Sequence, residues 1–266
     1  MRSDLSRDVA VMLDENTMIQ LDTCEQHGDF ESKTSLILGH QFRARCPQCT
    51  EIEKARQKSE ETAAKQREEQ ERLERKLGSA LIPARFKDRS FDSYIASTAK
   101  QKKALSVCRE YAENFAEHRR AGRCLLLLGN VGTGKTHLAT AIASHIIRNT
   151  SYTAAYRTVG GILQRIKGSY DRESGYTEAE AFAAYTRPGL LIIDEVGATK
   201  PTEFELATLF NIINGRYEEQ LPTVVISNLP AGELSGALGE RCVDRLREGG
   251  GIAVGFDWQS ARRAAL

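Results

Sequence analysis

The stretch Gly129-Asn130-Val131-Gly132-Thr133-Gly134-Lys135-Thr136 decides the fold. It satisfies G-x-x-x-x-G-K-[ST] at every fixed position. The apolar run Cys124–Leu128 before it reads as a strand, and His137–Asn149 after it reads as a helix. Glycines let the backbone wrap closely around a phosphate chain, and the N–H groups of the loop and of the first helical turn then aim partial positive charge at it. Lys135 is placed to reach the outer phosphates, and the Thr136 hydroxyl to ligate Mg2+. All eight residues (Gly129, Asn130, Val131, Gly132, Thr133, Gly134, Lys135 and Thr136) are candidate nucleotide ligands.

A phosphate loop needs a metal partner elsewhere in the chain. Leu190-Leu191-Ile192-Ile193-Asp194-Glu195 supplies it: four apolar residues of a buried strand, then two acids. Such a strand carries Asp194 to the C-terminal edge of a parallel sheet, where open α/β sheets bind ligands. There Asp194 can hold Mg2+ largely through water, and Glu195 can orient or deprotonate the water that attacks the γ-phosphate. Glu beside Asp favours hydrolysis over phosphoryl transfer to a small molecule. The expected region has no [NT]-K-x-D guanine-reading sequence, which selects ATP.

Outward from these motifs, helices are predicted over 99–118, 160–170, 177–185, 203–220 and 239–248. Strands are predicted at 124–128, 154–158, 190–195, 223–227 and 252–256. Continuous apolar strands alternating with helices imply a doubly wound parallel α/β sheet covered on both faces. Residues 51–80 differ: they are crowded with Glu, Lys, Arg and Gln and read as a charged helical linker that Pro83 ends. The expected domains are residues 1–50, the linker 51–80, and the nucleotide-binding domain 81–266.

Residues 1–50 hold three of the six cysteines. Cys24-Glu25-Gln26-His27 and Cys46-Pro47-Gln48-Cys49 are two C-x-x-[CH] knuckles, each able to turn two ligands toward one metal. Together Cys24, His27, Cys46 and Cys49 make a closed Cys3His set suited to structural zinc, with His40 a second candidate for the histidine position. Phe30–Phe42 suits a small hairpin of zinc-ribbon type. A segment this short has little core of its own, and metal ligation would supply what is missing. Cys108, Cys124 and Cys242 lack partner spacing and read as core thiols.

The formal net charge of +1 argues neither for nor against nucleic acid. No apolar run is long enough to span a bilayer, and Met1–Ala10 lacks the apolar stretch of a secretory signal, so a cytoplasmic protein without membrane attachment is expected.

Taken together, Gly129–Thr136, Leu190–Glu195, Val224-Val225-Ile226-Ser227-Asn228 and Leu238-Gly239-Glu240-Arg241-Cys242-Val243-Asp244-Arg245-Leu246 resemble the DnaC/IstB-type AAA+ ATPases, and most closely the helicase loaders of the DnaC type. Phe256-Asp257-Trp258-Gln259-Ser260-Ala261-Arg262 is similar to the end of those loaders. The resemblance covers roughly residues 80–266. It implies that Asn228 is the sensor-1 residue near the γ-phosphate, and that Arg245 is an arginine finger, with Arg241 one helical turn earlier. A finger acts on a neighbour's nucleotide, so a head-to-tail oligomer is implied. Arg262 matches the sensor-2 position. The sequence stops at Leu266, which leaves no room for a full helical lid and points to slow, switch-like hydrolysis. The implied function is an ATP-controlled loader that places a hexameric, DnaB-like replicative helicase on single-stranded DNA. The N-terminal module resembles the zinc-binding module of DnaI-type loaders, which docks on the helicase. Arg165, Lys167, Tyr170 and Arg172 are candidate DNA contacts. Two other readings stand beside this one: a transposition helper ATPase of the IstB kind, and a nucleotide-binding adaptor with little turnover.

Overall fold

The computed structural model describes residues 11–14, 17–37 and 40–260. The chain divides into two compact units, residues 1–71 and 72–266.

In the first unit, β1 (Val11–Asp14), β2 (Thr17–Cys24), β3 (Gly28–Ile37) and β4 (His40–Arg43) form an antiparallel meander in the order β1-β2-β3-β4. Cys24 pairs with Gly28 across the turn that contains His27. Gly28 takes φ +76°, the left-handed conformation a tight turn demands. Among the described side chains of this unit only Ser32 and Cys46 are buried. Helix α1 (Pro47–Ser79) follows directly. Proline suits its first position, where φ is preset and no N–H is missed. The helix has no buried residue. Its last turns belong to the second unit, where Leu73 and Leu77 lie on the core. There Lys76 donates from Nζ to the carbonyls of Thr150 (3.2 Å) and Ser151 (2.9 Å), at the C-terminus of the helix that follows the phosphate loop.

The second unit is built on five parallel strands in the order β6-β7-β8-β5-β9. These are β5 (Leu125–Gly129), β6 (Ala154–Thr158), β7 (Leu190–Val196), β8 (Thr223–Ser227) and β9 (Ile252–Phe256). Alternation splits the apolar strand residues between two layers. Leu125, Leu127, Ile192, Val224 and Ile226 meet Ile142 and Ile146 of α4 (Lys135–Asn149) and Cys108 of α2 (Ala99–Glu113). Leu126, Leu128, Leu191, Ile193 and Val225 meet Ile162 of α5 (Val159–Gly168) and Leu209 and Ile212 of α7 (Glu203–Glu218). Both faces are covered, which is why β7 and β8 read as unbroken apolar runs.

The helix predicted over 99–118 is two helices. Asn114 (φ −96°, ψ 22°) ends α2, and α3 (Phe115–Ala121) swings Phe115 and His118 into the interior, where His118 stacks on Tyr111 at 4.5 Å. The remaining helices are α6 (Glu178–Thr186), α8 (Leu234–Leu238) and α9 (Glu240–Arg247). At the sheet edge remote from the phosphate loop, the fully buried Arg216 of α7 donates to the carbonyls of Tyr185, Pro188 and Pro222 and to Thr223 Oγ1. Burial pushes its pKa down to about 9. No helix among the described residues is long and apolar enough to cross a membrane.

Candidate nucleotide site and metal centre

The loop between β5 and α4 is shaped by glycines that nothing else could replace. Gly129 has φ +126°, and a Cβ there would sit 2.5 Å from the Phe256 carbonyl oxygen. Gly134 has φ +96°, and its Cβ would sit 2.5 Å from the Tyr94 ring. The loop is braced from both sides. Asn130 N–H donates to Phe256 O (2.8 Å), and its Nδ2 donates to Trp258 O (3.3 Å). Tyr94 Oη (3.1 Å) and Trp258 Nε1 (3.2 Å) both donate to the Thr133 carbonyl. His137, the residue after Thr136, donates from Nε2 to Ser90 O (2.9 Å) and meets Tyr94 edge-on. Ser90-Phe91-Asp92-Ser93-Tyr94 is therefore part of the site as well as the start of the domain. A cavity of about 480 Å³ opens beside the loop, lined by Asn130, Val131, Trp258, Gln259 and Ser260.

Lys135 is buried at 5% exposure, with Nζ 2.7 Å from Gly129 O and 2.6 Å from Asn130 O. Its ammonium thus fills the hollow that phosphates would enter. Asp194, also buried, lies at the C-terminal edge of the sheet. Its Oδ2 accepts from Thr136 Oγ1 (2.8 Å) and from Tyr156 Oη (2.7 Å), and its Oδ1 accepts from the Glu195 N–H (2.7 Å). Glu195 is exposed and has φ +63°. It stands in the irregularity that interrupts β7–β8 pairing between Ile193 and Val196. A non-glycine residue held left-handed costs on the order of 1 kcal/mol, and such strain gathers at functional positions. The fold thus joins Lys135, Thr136, Asp194 and Glu195 in one place. Sequence reading missed Tyr156, Tyr94 and Trp258. The one available signal for Tyr156 was a phenol in a strand that otherwise wants aliphatic residues.

The other expected site residues are placed as follows. Asn228 is exposed just beyond β8. Arg245 is half-buried, lies over the rings of Phe210 (5.3 Å) and Tyr217 (5.0 Å), and donates to Asn214 Oδ1, all three on α7. Arg241 is exposed. Arg262 lies outside the described residues. Of the DNA candidates, Arg165 lies over the Tyr176 ring (4.4 Å) and Lys167 over the Phe204 ring (5.3 Å). Tyr170 donates to Glu178 Oε1 (3.0 Å), and Arg172 is exposed between α5 and α6.

In the first unit, Cys24, His27, Cys46 and Cys49 converge, their ligand atoms all within 4.8 Å of one another. His27 Nδ1 is 3.6 Å from Cys24 Sγ, 3.6 Å from Cys46 Sγ and 3.3 Å from Cys49 Sγ, and the Cys24 and Cys49 sulfurs are 3.6 Å apart. Tetrahedral zinc, with bonds of about 2.3 Å to sulfur and 2.0 Å to nitrogen, needs ligand separations of about 3.5–3.8 Å, and the three separations of 3.6 Å already match it. The Gln26 backbone N–H, then the His27 side chain, pull the Cys24 thiol down to about 6. The neighbouring Cys24 pushes Cys49 up to about 11. Such crowding suits a divalent cation, which relieves the repulsion between thiolates. His40 is exposed on β4 and is not one of the four.

Comparison with known proteins agrees with this geometry. The family described as IstB-like ATP binding protein matches residues 43–246. A replicative helicase loader DnaC from Buchnera aphidicola subsp. Acyrthosiphon pisum is 31% identical over 192 residues, covering 72% of this chain and 76% of its own. The replicative helicase loader DnaC of Escherichia coli K12 is 30% identical over 191 residues, with the same coverage. The crystal structure of the DnaC helicase loader superposes with a TM-score of 0.59 over 66% of this chain and 100% of that one, at 21% identity. A parallel sheet carrying an intact phosphate loop, the strand-end acids and the match over residues 43–246 place the chain in the DnaC/IstB-like family of AAA+ ATP-binding proteins.

Proposed function

We propose that this protein is an ATPase that binds a hexameric replicative helicase and delivers it onto single-stranded DNA, with ATP hydrolysis as the release switch. The observation that carries the reading is the Lys135–Thr136–Asp194–Glu195 constellation, in a chain that shares 72% of its length with named helicase loaders. Thr136 and Asp194 would hold Mg2+, Glu195 would activate water, and Asn228 and Arg262 would attend the γ-phosphate. Zinc on Cys24, His27, Cys46 and Cys49 would order the module 1–50 that grips the helicase, joined by the charged segment 51–80 to the ATPase domain 81–266. Lys167, Tyr170 and Arg172, exposed at the end of α5, are the DNA contacts of first choice, with Arg165 beside them. The cytoplasm is the expected location.

A pull-down against a purified DnaB-like hexamer tests this. Wild type is expected to capture helicase and Cys46→Ser to lose it. Wild type that captures none sinks the loader reading and leaves the IstB-like helper, whereas capture by residues 1–78 alone without DNA-stimulated hydrolysis would favour the low-turnover adaptor.

The finger is best placed on Arg241. Arg245 is already committed to Asn214, Phe210 and Tyr217 of its own subunit, whereas Arg241, one turn earlier, is exposed and able to reach a neighbour in a head-to-tail oligomer. Arg241→Ala should bind ATP normally yet hydrolyse it at least about tenfold more slowly, a conservative figure for a lost finger. Adding Lys135→Ala subunits, which retain Arg241, should restore turnover. Arg245→Ala should chiefly lower the melting temperature. Unchanged hydrolysis in Arg241→Ala, with loss in Arg245→Ala, would return the role to Arg245.

A further inference from the structure

We infer that Tyr156 is a positioning residue for the metal-binding carboxylate of the nucleotide site, acting through its hydroxyl on Asp194. The inference rests on the reading of Thr136 and Asp194 as Mg2+ ligands. Tyr156 lies on β6 opposite Ile192 of β7, and Thr158 lies opposite Asp194. The four residues therefore share the face of the sheet that α4 covers, and the long phenol reaches diagonally along the strand direction to the acid two positions on. Its hydroxyl ends 2.7 Å from Asp194 Oδ2, and the residue as a whole is 6% exposed.

The contact completes the carboxylate. Oδ2 takes two hydroxyl donors, Thr136 from below the phosphate loop and Tyr156 from the neighbouring strand, and Oδ1 takes the Glu195 N–H. Without Tyr156, Oδ2 would keep one hydroxyl donor and Oδ1 the Glu195 N–H. The second hydroxyl, coming from the neighbouring strand, restrains rotation about the Cβ–Cγ bond further and leaves a lone pair of Oδ1 free. A carboxylate oxygen can only accept, so the phenol is the donor in this contact. Packing alone asks only for an apolar ring here. The hydroxyl adds a hydrogen bond of the kind that orients metal ligands elsewhere, and removing such partners costs metal affinity or activity on the order of tenfold or more.

Tyr156→Phe keeps the ring and removes the hydroxyl. The Mg2+ concentration for half-maximal ATP hydrolysis is expected to rise about tenfold, with partial rescue by Mn2+. ADP binding measured in EDTA should stay within about twofold of wild type, because the phosphate loop itself is untouched. A merely structural role would move the melting temperature and leave the Mg2+ midpoint alone, so an unshifted midpoint overturns the assignment. Should the phenylalanine variant fold poorly, Tyr156→Ile, which suits a buried strand, must give the same shift. Wild type without any Mg2+-dependent nucleotide binding would remove the nucleotide-site reading and this assignment with it. A Mg2+-dependent wild type with an unshifted Tyr156→Phe would remove this assignment alone.

Discussion

Lys135→Ala is expected to abolish ATP binding at any practical concentration, with at least a hundredfold loss of affinity and no detectable hydrolysis. The reason is where the ammonium already stands. At 5% exposure its hydration has been given up on folding, and two loop carbonyls, Gly129 O and Asn130 O, substitute for water. Phosphate oxygens entering the hollow would replace neutral acceptors with anionic ones in a place of low dielectric. Each charge-assisted hydrogen bond there contributes about 1.5–3 kcal/mol, and two of them account for a factor of at least about one hundred. The apo protein should lose little stability, because the variant removes a buried cation and the carbonyls it leaves belong to half-buried Gly129 and exposed Asn130, where water can replace the ammonium. Thermal shift separates the effects. Saturating ATP at one hundred times its dissociation constant stabilises wild type by about 2.7 kcal/mol, and Lys135→Ala should show no shift. A variant that still melts higher with ATP would refute the placement of phosphate against Lys135.

Removing the metal should be as decisive for the other unit. Purified protein is expected to carry about one zinc per chain, and Cys46→Ser to carry none. Chelation should collapse the meander of β1–β4 while the ATPase unit melts unchanged. The module has little else to hold it: Ser32 and Cys46 are its only buried described side chains, and Leu21 and Phe42 are exposed at 73% and 57%. Metal binding in zinc-finger peptides contributes about 10–16 kcal/mol, far more than so thin a core can offer. Substoichiometric zinc in wild type, or a module that survives chelation, would refute a structural metal.

The doubly wound sheet was readable because its strands are buried on both faces. Leu190–Ile193 and Val224–Ile226 have no polar residue to blur them, and the glycines of 129–134 mark where strand becomes helix. The two knuckles were readable for a related reason, since ligand spacing is local chemistry. What escaped notice depends on contacts between residues distant in sequence. Tyr156 looks like one more core residue until β6 is laid beside β7. Tyr94 and Trp258 flank the motif by dozens of residues, yet both donate to Thr133 O. Asn114 sits in an otherwise continuous helical pattern, and the break there turns Phe115 and His118 into the core. Arg216 carries a charge that any surface reading would assign to solvent, while the fold gives it four internal acceptors. Arg245, which the resemblance singles out as the finger, lies over the rings of Phe210 and Tyr217 on α7, a contact that only the fold reveals.

The bracing of the phosphate loop by β9 has a consequence for how the protein is made. The loop carries its full consensus by residue 136, but apart from Tyr94 the groups that brace it come from Phe256 and Trp258, the latter 125 and 128 residues from its partners Thr133 and Asn130. A ribosome adding about 5–20 residues per second takes on the order of ten seconds to cover that interval. Throughout it, the nascent chain displays the motif without the backbone that holds it open. The zinc knuckles, by contrast, are complete once Cys49 has emerged. The part proposed to grip a partner is therefore finished well before the part proposed to let it go, and on that proposal a half-synthesised chain would hold without being able to release.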